Sequence, residues 1–173
     1  MAEQLDEREI DAFLREQVVG RIACHAAGRT YIGPVVYAWD GDAAYVLSVE
    51  GRKIEMMRAN PEVCFEIDEH GPSGSWCSVI VEGVFEELEG SRADTALTLL
   101  VQRLGRGRRG RGGRPAVAFR IRATQLSGRR MVRTPPRAWL EIHRRAIRRR
   151  RVRRLDHPER VQQPEQAREE RHE

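Results

Sequence analysis

Between residues 18 and 126 the chain offers six strand-length runs, most of them separated by turn-forming residues or short helices. The runs cover residues 18–24, 30–39, 42–48, 62–68, 75–87 and 115–126. Alternation is clearest at Val63, Phe65 and Ile67 and at Val117, Phe119 and Ile121; a period of two belongs to a strand with one buried face. Ala27-Gly28-Arg29 and Asp40-Gly41-Asp42 separate the first three runs, and the Asp-Gly pair is a strong hairpin signal. Gly83 interrupts the longest run and predicts a bulge or bend. Successive hairpins do not build a parallel α/β sheet. They predict a mainly β fold with short helices, a six-stranded antiparallel barrel that is closed or partly split.

Three amphipathic segments interrupt the strands. Residues 5–17 place Ile10, Phe13 and Leu14 on one face, and residues 51–60 end at Asn60-Pro61. Residues 91–104 form the third, with Ser91 read as its cap and Asp94 three residues on.

Charge divides the chain. Residues 1–100 hold eight basic and nineteen acidic side chains, a net −11, whereas residues 101–173 hold twenty-three and seven, a net +16. The expectation is one globular domain over residues 1–133, carrying an Arg/Gly-rich loop at 105–114, followed by a basic tail over 134–173 that is helical or without fixed structure. In that tail, the arginines from Arg144 to Arg154 would attract nucleic acid or another polyanion without sequence choice, or dock on the acidic body. No stretch approaches the roughly 18 apolar residues of a membrane span. The acidic start of the chain is unlike a secretory signal. Cys24, Cys64 and Cys77 include no CxxC pair, which fits reduced thiols in the cytoplasm.

One segment concentrates chemistry. Ser48-Val-Glu-Gly51-Arg52-Lys53 joins a strand to a helix, and Lys53 is the single lysine beside thirty arginines. A helix N-terminus offers unpaired N–H groups and partial positive charge, and cations there oppose the dipole at a cost of roughly 0.3–1 kcal/mol each unless an anion is bound. Gly51, Arg52, Lys53 and the Ser48 hydroxyl together make a phosphate cradle, distinct from a P-loop or a Rossmann glycine fingerprint.

The ordered blocks Gly20-Arg-Ile-Ala, Pro34-Val-Val-Tyr37, Tyr45-Val-Leu-Ser48-Val-Glu-Gly-Arg-Lys53, Asn60-Pro-Glu-Val-Cys-Phe65, Trp76-Cys-Ser-Val-Ile-Val-Glu-Gly83 and Leu126-Ser-Gly-Arg129 run through residues 5–130. In this the chain resembles the pyridoxamine 5′-phosphate oxidase-like FMN-binding proteins, in particular their flavin-nucleotide-binding, nitroimidazole-resistance-like branch. The resemblance implies a split-barrel homodimer with FMN in clefts at the subunit interface. It places the phosphate on Arg52, Lys53 and Ser48, the isoalloxazine edge against the backbone of Val36 and Tyr37, and a polar flavin contact at Ser78 with Trp76 nearby. It also implies an FMN-dependent oxidoreductase acting on a small molecule, or a non-catalytic protein that binds flavin, a deazaflavin or haem. Two departures bear on the chemistry. Leu47 stands where this branch commonly has histidine, and Pro135-Pro-Arg-Ala-Trp139 does not match the substrate-binding arginine motif of true pyridoxamine phosphate oxidases, which argues against vitamin B6 oxidation.

No competing catalytic pattern is present. His25, His70, His143, His157 and His172 lack metal-ligand spacing with each other or with cysteine, so no metal site is expected.

Overall fold

The computed structural model describes residues 1–105 and 116–133. Most of the expected Arg/Gly loop and the tail from residue 134 lie outside them. Helix α1 (Glu7–Glu16) follows a two-residue strand β1 (Glu3–Gln4); strands β2 (Val19–Ala26), β3 (Arg29–Trp39) and β4 (Ala43–Val49) come next. Then follow α2 (Arg52–Ala59), β5 (Glu62–His70), β6 (Trp76–Leu88), α3 (Gly90–Leu104) and β7 (Ala116–Met131). Every strand pair is antiparallel, in the order β1-β7-β4-β3-β2-β5-β6, and β7 also pairs with β6. Six strands therefore close into a ring of split-barrel type, as the successive hairpin runs predicted, and β1 is a short addition at β7.

The turns behave as their residues require. Ala27 and Gly28 both take positive φ (49° and 70°) between β2 and β3, the geometry of a tight hairpin turn. Between β3 and β4, the Asp40 carboxylate accepts from the N–H groups of Asp42 and Ala43 (2.9 Å each) while Gly41 sits at φ 120°. The predicted irregularity at Gly83 is a bulge in the β6–β7 ladder, where Glu82 faces Gln125 but Gly83 faces Ala123. The extra residue is thus Thr124 on β7, and its hydroxyl donates to the Glu82 carbonyl (3.0 Å). A side chain at position 83 would place Cβ 2.6 Å from the Arg122 carbonyl oxygen.

Alternation fills the ring. Tyr37, Phe65 and Phe119 are among its fully buried side chains, with the Tyr37 and Phe65 rings edge to face at 5.0 Å. Helix α1 lays Ile10, Phe13 and Leu14 against this core. It is started by an Asp6–Glu9 capping box and fastened to β3 by the Tyr37 hydroxyl donating to the Leu14 carbonyl (2.8 Å) and Trp39 donating to Asp11 (2.9 Å). Helix α3 departs from expectation. It begins at Gly90 after Glu89, with no side-chain cap, and Ser91 lies inside it, its carbonyl accepting from Thr95. Among the described residues no helix is long and apolar enough to cross a membrane.

Candidate functional site

Helix α2 starts where β4 leaves the ring, through Glu50 and Gly51. Gly51 has extended backbone that any residue adopts (φ 162°, ψ −175°), yet a Cβ there would meet nothing within 4 Å. Open space therefore lies beside the helix start. No side chain caps this N-terminus, so its first N–H groups keep the positive potential usual at an uncapped end.

Two cations stand at that end. Lys53 is half-buried, and burial pushes its ammonium below the ordinary lysine range, the Cys24 sulfur opposing this weakly. Arg52 is exposed and lies over the Tyr31 ring, 5.5 Å from its centroid. An aromatic face steadies a guanidinium without consuming its in-plane donors. Among the described residues neither cation pairs with a carboxylate. Cys24, on β2 opposite Tyr31, closes the group: burial raises its thiol pKa, while Lys53 and Arg52 pull it back. Ser48, half-buried near the end of β4, stands opposite Val117 of β7.

The other expected site residues are placed elsewhere. Val36 is half-buried opposite Val19 on β2, five residues along the strand from Cys24. The Tyr37 side chain belongs to the core, and its main-chain N–H donates to the Val18 carbonyl (3.0 Å). Ser78 faces Asp68 on β5, five residues from Val63, the partner of Cys24, and its hydroxyl donates to Glu66 (3.4 Å). Trp76 faces His70, two residues further along. At about 3.3 Å per residue, Val36 and Ser78 both lie roughly 17 Å along the strands from the level of Cys24. Arg52 and Lys53 are neighbours at the start of α2; Ser48 lies two residues beyond Val46, the β4 partner of Tyr37, and so stands near the level of Val36, while Ser78 and Trp76 lie across the ring on β6.

A cleft of about 580 Å³ adjoins Cys24, lined also by His25, Thr30, Cys64, Glu82 and Thr124. Its two carboxylates, Glu62 and Glu82, suit an anion poorly, whereas the helix start carries two cations. Among the described residues no cluster of His, Cys, Asp and Glu is arranged to hold a metal ion. His25 shares a hydrogen bond with the Thr30 hydroxyl, and His70 lies against Asp68. Sequence reasoning missed Tyr31 and Cys24; their part is set by the β2–β3 register, which no local motif announces.

A ring of six antiparallel strands with a cationic helix start at its rim defines a small split-barrel protein. The chain belongs to the pyridoxamine 5′-phosphate oxidase family, whose model matches residues 6–130. The crystal structure of an FAD-binding protein from Mesorhizobium loti is similar at 36% identity and a TM-score of 0.66, over 76% of this chain and 99% of that one. HutZ, the haem storage protein of Vibrio cholerae, shares the fold at 18% identity and a TM-score of 0.55, over 69% of this chain and 92% of its own. The uncharacterized protein RA0666 of Rhizobium meliloti (strain 1021) is 40% identical over 70 residues, 40% of this chain, and the match spans only 46% of that relative.

Proposed function

We propose that the chain binds FMN between two copies of itself and serves as a flavin-dependent oxidoreductase for a small molecule. The observation that carries this reading is the half-buried Lys53, without a carboxylate partner among the described residues, beside Arg52 at the uncapped start of α2. Positive groups so gathered are unfavourable alone and well suited to a phosphate, whose charge-assisted hydrogen bonds are about twice as strong as neutral ones. Arg52 and Lys53 hold the phosphate and the Ser48 hydroxyl adds a third contact. The backbone of Val36 and Tyr37, with Ser78 and Trp76, serves the ring system. When bound, the flavin supplies the hydride and electron transfer. The protein binds and orients it, and Leu47, 40% exposed beside Ser48, contributes no proton-transfer group.

The outer face of β2, β3 and β4 supports a second copy. Val19, Ile32, Leu47 and Val49 are 40–61% exposed there, with Val19 directly opposite Val36. Apolar surface gathered in this way marks an interaction site. The three free cysteines fit a reducing cytoplasm. The arginines from Arg144 to Arg154 give a separable affinity for polyanions, checked by a gel shift that disappears on truncation at Thr134 while flavin is retained.

An absorbance spectrum of the purified protein, with mass spectrometry of the released ligand, tests the cofactor and separates FMN from FAD, a deazaflavin or haem. Arg52→Ala with Lys53→Ala removes two charged contacts of about 1.5–3 kcal/mol each, so binding should weaken at least roughly 100-fold. A colourless protein that takes up no FMN, or a double variant that binds like wild type, overturns the proposal. Bound flavin without NAD(P)H oxidation or reduction of nitro compounds or quinones would reduce it to a binding or storage role.

A further inference from the structure

We propose that Arg58 is a positioning residue of the phosphate site: by holding Glu50, it keeps that carboxylate away from Arg52 and Lys53. The inference rests on the phosphate reading given above.

Glu50 is the acidic side chain just before the site, two residues ahead of Arg52 with only Gly51 between them. Because Gly51 is extended, the Cα atoms of residues 50 and 52 lie about 7 Å apart, within reach of glutamate and arginine side chains. Left free, Glu50 would find nearby two cations that have no carboxylate partner among the described residues. Pairing with them would neutralise the helix start and place a negative charge where a phosphate should sit.

Arg58 prevents this from the other end of the same helix. Its Nη1 and Nη2 donate to the two Glu50 oxygens (2.8 and 3.1 Å). Its Nε and Nη2 donate to the two Glu87 oxygens (2.7 Å each). Glu87 belongs to β6, so the guanidinium is tied to the ring and to the loop at once. Only a planar fork can serve two carboxylates in this way, and a lysine could not. Each exposed pair contributes little to stability by itself. The consequence lies in which cation owns Glu50.

Lys53 is the only lysine of the chain, so ¹³C-lysine labelling isolates one side chain by NMR. Two measurements are made on wild type, Arg58→Gln, Glu50→Gln and the double variant at low ionic strength: the pH titration of Lys53, and the affinity for FMN. Freed Glu50 favours the charged ammonium, so Arg58→Gln should raise the Lys53 titration midpoint and weaken FMN binding roughly fivefold, the scale of an exposed ion pair. Adding Glu50→Gln should restore both, and Glu50→Gln alone should resemble wild type. Unchanged values in Arg58→Gln, or losses that Glu50→Gln does not restore, would show that Arg58 merely supports the fold. If wild type binds no FMN, the phosphate reading fails, while the Lys53 titration still decides which cation Glu50 seeks.

Discussion

Replacing Lys53 with methionine should make the free protein more stable and its flavin complex weaker. Methionine keeps the length and apolar stem of the lysine but removes its charge. In the free protein that charge is half-buried, lacks a carboxylate partner among the described residues, and stands at the positive end of α2. The dipole alone opposes it by about 0.3–1 kcal/mol, so Lys53→Met should raise Tm by roughly 1–4 °C for a domain of this size. The pH dependence has a definite sign. A lysine whose pKa falls on folding penalises the native state most below its folded pKa, and the penalty fades as pH rises toward the unfolded value. The advantage of the variant should therefore be full below the folded pKa of Lys53 and shrink as pH rises toward the ordinary lysine value of about 10.4. In the complex the same change removes a charged contact of about 1.5–3 kcal/mol, which raises Kd roughly 10- to 150-fold. Circular-dichroism melts of the free protein and fluorescence titration with FMN measure the two effects. A variant that melts lower than wild type and binds FMN equally well would refute the reasoning, because that pattern belongs to a lysine engaged only in packing.

Three further outcomes are expected. A bound phosphate raises the Lys53 pKa, so FMN affinity should fall as pH rises through the free-protein value, itself below the ordinary lysine range, and Lys53→Arg should flatten that decline in a pH-resolved titration. Gly83→Ala sets Cβ against the Arg122 carbonyl (2.6 Å) and the Ile121 side chain (2.8 Å), neither a flexible chain end, and should cost about 1–3 kcal/mol, read as a lower urea midpoint. Ile32→Glu places a charge on the 61%-exposed apolar position of the outer β3 face and should convert dimer to monomer in sedimentation velocity while reducing flavin retention.

The strands were legible because one face of each had to be apolar, and Val63, Phe65 and Ile67 follow that requirement directly. Strand β7 was legible only to Leu126. Beyond it, Ser127-Gly-Arg-Arg130 has no alternation, and those residues are extended because β6 and β1 pair with them. The bulge could be anticipated at Gly83, since a glycine there is a local signal, but its extra residue lies on the facing strand and depends on register. At α3, Ser91 offered a familiar cap that the chain bypassed, starting the helix one residue earlier. The cationic pair was local and therefore visible. Tyr31 stands twenty-one residues before Arg52, and Arg58, though on the same helix as Arg52, is held by Glu87 of β6, so the folded ring is needed to bring Tyr31 and this tether to the site.

The ring also has an order of assembly. Strands β4 and β6 each keep one open edge until β7 arrives, and 67 residues separate Val49 from its β7 partner Ala116. Bringing such distant partners together is slow compared with hairpin formation. During synthesis, a chain lacking residues 116–131 presents two unpaired backbone rows to its neighbours, the condition that invites edge-to-edge association. Substitutions that delay the docking of β7 should therefore appear first as poor yield from the ribosome, before any change is seen in the finished protein.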